Sequence, residues 1–324
     1  MNSLFFWFCI PIFVSLCEWP YMQKTLIVIT GPTGIGKTSV AIEVAKFFNT
    51  EIISCDSRQV YLELYIGTAI PDPEQLEAVK HYFIHTHSIQ EYYNASMFET
   101  DVLMLLDKLF SRKNLMVMAG GSMLYIEAVC KGIDDLPDVD TGLRNELIEK
   151  WKQEGLANLR LQLKKLDPDY YTATDLKNPK RILRALEVCL MTGKPYSSFR
   201  SDSVKKRPFG IIKIGLNCER EILYDRINRR VDKMIADGLI DEARKVYPFK
   251  NLNALNTVGY KELFAWFDGH IDKEEAIRQI KANSRKYARK QLTWFRNDKS
   301  IHWFEPDQTE KIIHFIKKEI KNDQ

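Results

Sequence analysis

Gly31-Pro32-Thr33-Gly34-Ile35-Gly36-Lys37-Thr38 follows the apolar run Leu26-Ile27-Val28-Ile29 across a single residue. The order is apolar strand, glycine-rich turn, then a helical run over Ser39–Phe48, which is the context a phosphate-binding loop requires. Gly31, Gly34 and Gly36 let the backbone curl until several N–H groups converge on one anion. The helix that follows adds the positive end of its dipole. Lys37 supplies a point charge for the outer phosphate, and the Thr38 hydroxyl can ligate Mg²⁺. The loop predicts a ligand carrying a di- or triphosphate; what is done with it must be read from the rest of the chain.

Outward from the loop, apolar β-rich runs alternate with helical patterns. Leu26–Ile29, Glu51–Ser54 and Leu115–Ala119 read as parallel strands, and Ile211–Leu216 and Ser300–Phe304 as two more. Between the third and fourth the texture changes. From about Pro137 to Arg207 the chain is charged and leucine-spaced, with helical patterns at Leu143–Glu154, Leu156–Leu166 and Pro179–Met191. The expected fold is α/β, a parallel-sheet core like that of phosphate-loop NTPases, with an inserted all-helical domain. The core covers residues 22–135 and 209–324 and the insertion 136–208. Long helical patterns return at Glu219–Asp237, Ile240–Tyr247 and Lys273–Phe295.

A chain of 324 residues buries one large core or two modest ones. A formal net charge of +4 says little about partners. No segment reaches the apolar length of a membrane span. The six cysteines, Cys9, Cys17, Cys55, Cys130, Cys189 and Cys218, form no Cys-x-x-Cys pair, and His85-Thr86-His87 has no cysteine companion. A zinc site or a disulfide framework is therefore disfavoured, and a reducing cytoplasm fits. Leu4–Leu16 is almost wholly apolar but lacks a basic leader and a small-residue cleavage site. The first strand follows Met22 at once, so Met22 is the expected start and residues 1–21 an extension.

Two strand ends carry the chemistry. After the second strand comes Ser54-Cys55-Asp56-Ser57-Arg58-Gln59-Val60-Tyr61, where α/β sheets place ligands. Asp56 there is a general base, a magnesium partner behind the first shell of ligands, or simply a helix cap. The third strand ends in Ala119-Gly120-Gly121-Ser122. A nucleotide hydrolase puts a carboxylate at such a strand end to hold Mg²⁺ and the attacking water. Two glycines and a hydroxyl in its place favour group transfer from a phosphorylated donor. Basic residues gather at Arg181 and Arg184, at Arg226, Arg229 and Arg230, and in a stripe of Arg278, Lys281, Arg285 and Arg289 beside Lys286 and Lys290. A charge run is usually a solvated face. Three clusters with Gln291, Trp294 and Phe295 nearby raise contact with nucleic-acid phosphates as a serious reading.

Taken in order, these segments resemble the tRNA dimethylallyltransferases of bacterial type. The resemblance rests on Gly31–Thr38, on Asp56–Tyr61 running into Gly67-Thr68-Ala69, and on Gly120-Gly121-Ser122-Met123-Leu124-Tyr125. It continues through Arg181-Ile182-Leu183-Arg184-Ala185-Leu186-Glu187, Arg226–Arg230, Val258-Gly259-Tyr260 and Arg289-Lys290-Gln291-Leu292-Thr293-Trp294-Phe295-Arg296. Ser122 stands where threonine is more usual, and Ile70 where lysine is common.

The resemblance implies that Gly31, Pro32, Thr33, Gly34, Ile35, Gly36, Lys37 and Thr38 hold dimethylallyl diphosphate, with Mg²⁺ on Thr38. It implies Asp56 as the base, with Arg230 and Lys37 as further catalytic residues. Contacts to a tRNA anticodon stem-loop are implied for Asp56, Ser57, Arg58, Gln59, Ser122, Arg144, Lys180, Arg181, Ile182, Leu183 and Arg184, and the basic stripe adds Lys281 and Arg285. The implied enzyme works in the cytoplasm as a monomer. An enzyme prenylating free AMP or ADP, a small-molecule kinase and a non-catalytic RNA-binding protein are the competing readings.

Overall fold

The computed structural model describes residues 23–134, 136–137, 139–201 and 204–322. The apolar Leu4–Leu16 run, Met22, Cys9 and Cys17 lie outside the described residues. By contact density the chain divides into two compact units, one made of the residues up to Val129 and from Arg207 onward, the other of Cys130–Lys206.

The larger unit is built on six strands: β1 (Thr25–Thr30), β2 (Ile52–Cys55), β3 (His81–Tyr82), β4 (Leu115–Gly120), β5 (Gly210–Leu216) and β6 (Ile301–Phe304). They form one sheet in the order β3-β2-β4-β1-β5-β6, and every pairing is parallel. All six residues of β1 are buried, because helices cover both faces of such a sheet and its central strand sees no water. The sequence pattern marks five of these strands and misses β3, whose two residues are too few to show a pattern.

Register places the functional loops. Thr30 pairs with Gly120 on one side and with Gly215 on the other, and Cys55 also pairs with Gly120. The carboxyl ends of β1, β2, β4 and β5 therefore stop in one row, and the segments that follow them share one edge of the sheet. Gly120 is obligatory there, since a Cβ at that position would lie 1.9 Å from the Cys55 carbonyl oxygen.

Helix α1 (Lys37–Phe47) packs Val40, Ala41 and Val44 beneath the sheet, with Ile312, Ile316 and Ile320 of the C-terminal helix (Thr309–Asn322) in the same core. Helix α8 (Arg220–Ala236) buries Leu223, Ile227 and Val231, one residue per turn, and turns its arginines away from that stripe. Helix α9 (Leu239–Val246) and helix α10 (Tyr260–Phe267) follow. Helix α11 (Lys273–Arg296) is capped by Asp272, whose side chain accepts from the Glu275 N–H at 2.7 Å. Helices α2 (Pro73–Ala78), α3 (Ala95–Phe110) and α4 (Met123–Lys131) lie between α1 and the helices of the second unit along the chain.

The second unit is helical: α5 (Thr141–Leu166), α6 (Pro168–Ala173) and α7 (Pro179–Thr192). Gly155 interrupts α5 with φ 79° and ψ 173°, at the junction the sequence marks between Leu143–Glu154 and Leu156–Leu166. Its core gathers Leu147, Leu159, Leu163, Tyr170, Ile182, Leu183 and Leu186. Among the described residues no helix is long and apolar enough to cross a membrane.

Candidate active site in the larger unit

The loop between β1 and α1 carries the backbone its glycines permit, with positive φ at Gly31, Gly34 and Gly36. Gly36 is also the residue that caps α1. It takes a left-handed conformation and no side chain caps the helix, so the first-turn N–H groups face the loop as an anion site requires. Closely packed neighbours hold the curl. A Cβ on Gly31 would sit 2.7 Å from the Leu216 carbonyl oxygen, and one on Gly34 would sit 2.9 Å from Ile227 Cγ1.

Side chains from two distant helices brace the loop. Gln291 of α11, 2% exposed, accepts from the Thr33 N–H at 2.8 Å and donates to the Gly121 carbonyl at 2.8 Å. From α8, Arg230 donates to the Thr33 hydroxyl at 3.1 Å and Arg226 to the Ile35 carbonyl at 3.1 Å. The Lys37 ammonium donates to the Gly31 and Pro32 carbonyls at 3.1 and 2.9 Å. Burial lowers the Lys37 pKa to about 8; the negative charge of Asp56 opposes this and the positive charge of Arg230 adds to it. Burial also lowers the Arg230 value, again against Asp56. Two cations and one carboxylate thus act on one another at the edge where β1 and β2 end.

Asp56 sits in a tight turn. One carboxylate oxygen accepts from the Arg58 N–H at 2.9 Å. The next residue is fastened to the β4 turn: the Ser57 N–H donates to the Ser122 hydroxyl at 2.8 Å, and that hydroxyl donates to the Ser57 hydroxyl at 3.2 Å. Gln59 accepts from the Ser54 hydroxyl and donates to the Thr68 and Ala69 carbonyls. Arg58 donates to the carbonyls of Asn253 and Ala254. Tyr287 of α11 faces the same group; burial, then the Asp56 charge, push its hydroxyl up to about 12 against the pull of Arg58.

The predicted residues divide into two sets. Lys37, Thr38, Asp56, Ser57, Arg58, Gln59, Ser122 and Arg230 belong to the larger unit. Lys281 and Arg285 are in that unit too, but α8 engages them: Lys281 pairs with Asp232 at 2.6 Å, and Arg285 donates to the Asn228 side chain at 2.5 Å. Their stripe is in part a seam between α8 and α11. Arg144, Lys180, Arg181, Ile182, Leu183 and Arg184 belong to the helical unit. There Ile182 and Leu183 are 0% and 6% exposed, so their side chains are core residues and not an RNA surface. Arg144 and Arg184 approach the buried Glu187 carboxylate at 3.7 and 3.2 Å.

Gln291 is the functional residue whose bridging role the sequence reading misses. The signal was a lone polar residue in the buried stripe Ala288, Gln291, Phe295 of α11. For a metal, the described residues contain no group of three or more His, Cys, Asp or Glu that could hold one. The Thr38 hydroxyl, at the start of α1, is compatible with a divalent cation that takes its remaining ligands from water and substrate phosphate.

Comparison with known proteins yields consistent matches. The model of the family described as IPP transferase matches residues 59–298. A protein of Bacteroides fragilis named tRNA dimethylallyltransferase 1 is 54% identical over 298 residues, which are 92% of this chain and 99% of the relative. One of Phocaeicola vulgatus with the same name is 56% identical over 295 residues, 91% of this chain and 98% of the relative. Among solved structures, the tRNA isopentenylpyrophosphate transferase of Bacillus halodurans superposes with a TM-score of 0.68 at 36% identity, covering 93% of this chain and 98% of its own. A eukaryotic dimethylallyltransferase described as acting on tRNA gives 0.71 at 25% identity, with coverages of 88% and 74%.

Proposed function

This chain belongs to the IPP transferase family, and from that premise we propose that it transfers a dimethylallyl group from dimethylallyl diphosphate to N6 of the adenosine 3′ of the anticodon, in tRNAs reading codons that begin with U. The observation that carries the reading is the convergence of Lys37, Arg230 and Asp56 at one edge of the sheet, with the β4 turn holding Gly121 and Ser122 in place of a hydrolytic carboxylate.

The chemistry poses two charge problems. The N6 lone pair of adenine is delocalised into the ring, and attack on the allylic C1 builds positive charge on that nitrogen. Asp56 is the group that accepts the N6 proton as the N–C1 bond forms and the C1–O bond to diphosphate breaks. Negative charge grows on the departing diphosphate, where Lys37, Arg230 and the N–H groups of residues 31–38 stabilise it. Mg²⁺, held through the Thr38 hydroxyl, supplies further charge neutralisation on the diphosphate when bound. Arg230 serves twice, because its bond to the Thr33 hydroxyl also fixes the loop.

The acceptor base must leave its stack to reach Asp56, at a cost of about a few kcal/mol that contacts to the rest of the RNA loop offset. Exposed cations at Lys286, Arg289 and Lys290 suit those phosphate contacts. The enzyme so described works in the cytoplasm as a monomer. The test is mass spectrometry of tRNA, and in parallel of AMP, after incubation with the protein, dimethylallyl diphosphate and Mg²⁺. A five-carbon mass gain on tRNA is the expected result. Gain on AMP alone, or none at all, overturns the reading.

A further inference from the structure

Glu242 of α9 spends its carboxylate on a loop. One oxygen accepts from the Tyr65 and Ile66 N–H groups at 2.9 and 2.7 Å, and the other from the Gly67 N–H at 2.9 Å and the Tyr260 hydroxyl at 2.6 Å. Tyr260 is fully buried, and its ring leaves no room for a side chain at Gly67. The start of the loop is stapled as well. Glu63 accepts from the Ser88 hydroxyl at 2.7 Å and the Ile89 N–H at 2.9 Å. Backbone at residues 62–70 is thus held from both sides.

What this rigid loop presents is an aromatic face. Tyr65 is 45% exposed, and its ring lies 5.8 Å from that of His85 at a 39° tilt. The His85 backbone is fixed too: its main-chain N–H donates to the Gln59 carbonyl at 2.9 Å and its φ is 51°, while ring Nε2 lies 3.4 Å from the Leu64 carbonyl. Ala69, which accepts from the Gln59 amide, and Phe83 also have positive φ. Non-glycine residues in that conformation cost free energy and gather at functional sites. Leu64 and Thr68, 0% and 8% exposed, anchor this loop in the core, whereas the half-exposed Tyr65 ring gains little from burial.

The face is tied to the acceptor end of the site. Gln59 bonds to both halves of it, through His85 on one side and Thr68 and Ala69 on the other, and stands three residues after Asp56. Unpaired RNA bases stack on tyrosine and histidine rings. Resting on the acceptor assigned above, we propose that the Tyr65–His85 pair is a stacking platform for one unpaired base next to the adenosine being modified, pre-set by the grip of Glu242 on the Tyr65 backbone. It fixes the RNA loop beside Asp56 and takes no part in the bond changes.

The probe is a synthetic anticodon stem-loop carrying the acceptor adenosine, and the same RNA made abasic at each neighbouring position in turn. Affinity is measured for the full-length wild type, Tyr65→Ala and Tyr65→Phe. Tyr65→Ala should weaken binding roughly 5- to 100-fold, and Tyr65→Phe by no more than about twofold. One abasic position should weaken the wild type by a factor similar to that of Tyr65→Ala and add nothing in that variant, while KM for dimethylallyl diphosphate stays unchanged. Tyr65→Ala binding as the wild type does, or abasic penalties equal in both proteins, overturns the platform. Failure of the wild type to transfer any five-carbon group to the intact stem-loop instead overturns the reading beneath it, so the two failures are distinct.

Discussion

Thr33 and Gln291, 258 residues apart in the chain, are joined by a hydrogen bond of 2.8 Å from the Thr33 N–H to the Gln291 side-chain oxygen. The amide nitrogen of Gln291 holds the Gly121 carbonyl at the same distance. One buried side chain therefore locks the loop after β1 against the turn after β4. Gln291→Leu leaves both backbone groups without partners, at about 1–3 kcal/mol for each. KM for dimethylallyl diphosphate should rise while tRNA affinity holds; a donor KM equal to that of the wild type removes Gln291 from the loop's support.

The depressed pKa of Lys37, about 8, gives a pH signature with opposite signs for activity and stability. As pH rises through that value the free enzyme loses the cation proposed to bind diphosphate, so kcat/KM for the donor should fall by up to about tenfold per pH unit. Lys37→Arg should abolish that limb. Folding responds the other way. The folded chain sheds this proton before the unfolded chain does at 10.5, so this group adds stability as pH rises between the two values. Kinetic profiles and denaturant melts across that window check both.

Asp56→Asn keeps an acceptor for the Arg58 N–H but cannot take the N6 proton. Single-turnover transfer should slow by about 10²–10⁴ with tRNA affinity nearly unchanged. A wild-type single-turnover rate would remove Asp56 from the base role.

Arg207 and Glu99 form an ion pair at 2.6 Å, each side chain 8% exposed. Arg207 also donates to the Val129 and Ala128 carbonyls. Arg207→Met removes the ion pair together with two hydrogen bonds from a charged donor to backbone carbonyls, each worth about 1.5–3 kcal/mol, so it should cost about 3–5 kcal/mol. Urea unfolding measures it, and a loss below about 1 kcal/mol contradicts the burial argument.

Lys290 is exposed, whereas Lys281 is paired with Asp232. Lys290→Ala should weaken tRNA binding and lower the salt slope of log K by about one, and Lys281→Met should leave the slope alone. Binding titrations at several salt concentrations separate the two; equal slopes for both variants contradict the division.

Much of the site was legible because its signals are local. The spacing of Gly31, Gly34, Gly36 and Lys37 fixes backbone conformation within one turn, and Asp56 directly follows an apolar run. The basic stripe was less legible, since charge on one helix face reads the same whether it meets water, RNA or a neighbouring helix. In the free protein Lys281 and Arg285 meet Asp232 and Asn228 on α8, contacts that lie far away in sequence and that no charge pattern announces. Ile182 and Leu183, taken with their motif as RNA contacts, prove to be the apolar face of α7.

The sequence by itself determined the alternation of strands and helices, the helical insertion and the phosphate loop, because each depends on residues within a few turns of one another. Only the tertiary structure decided that Gln291 closes the loop, that Glu242 grips residues 65–67, and which cations are already engaged. Those outcomes depend on which side chains parallel pairing and helix packing bring together across long stretches of chain, and hydrogen bonds at such separations leave no periodicity to read.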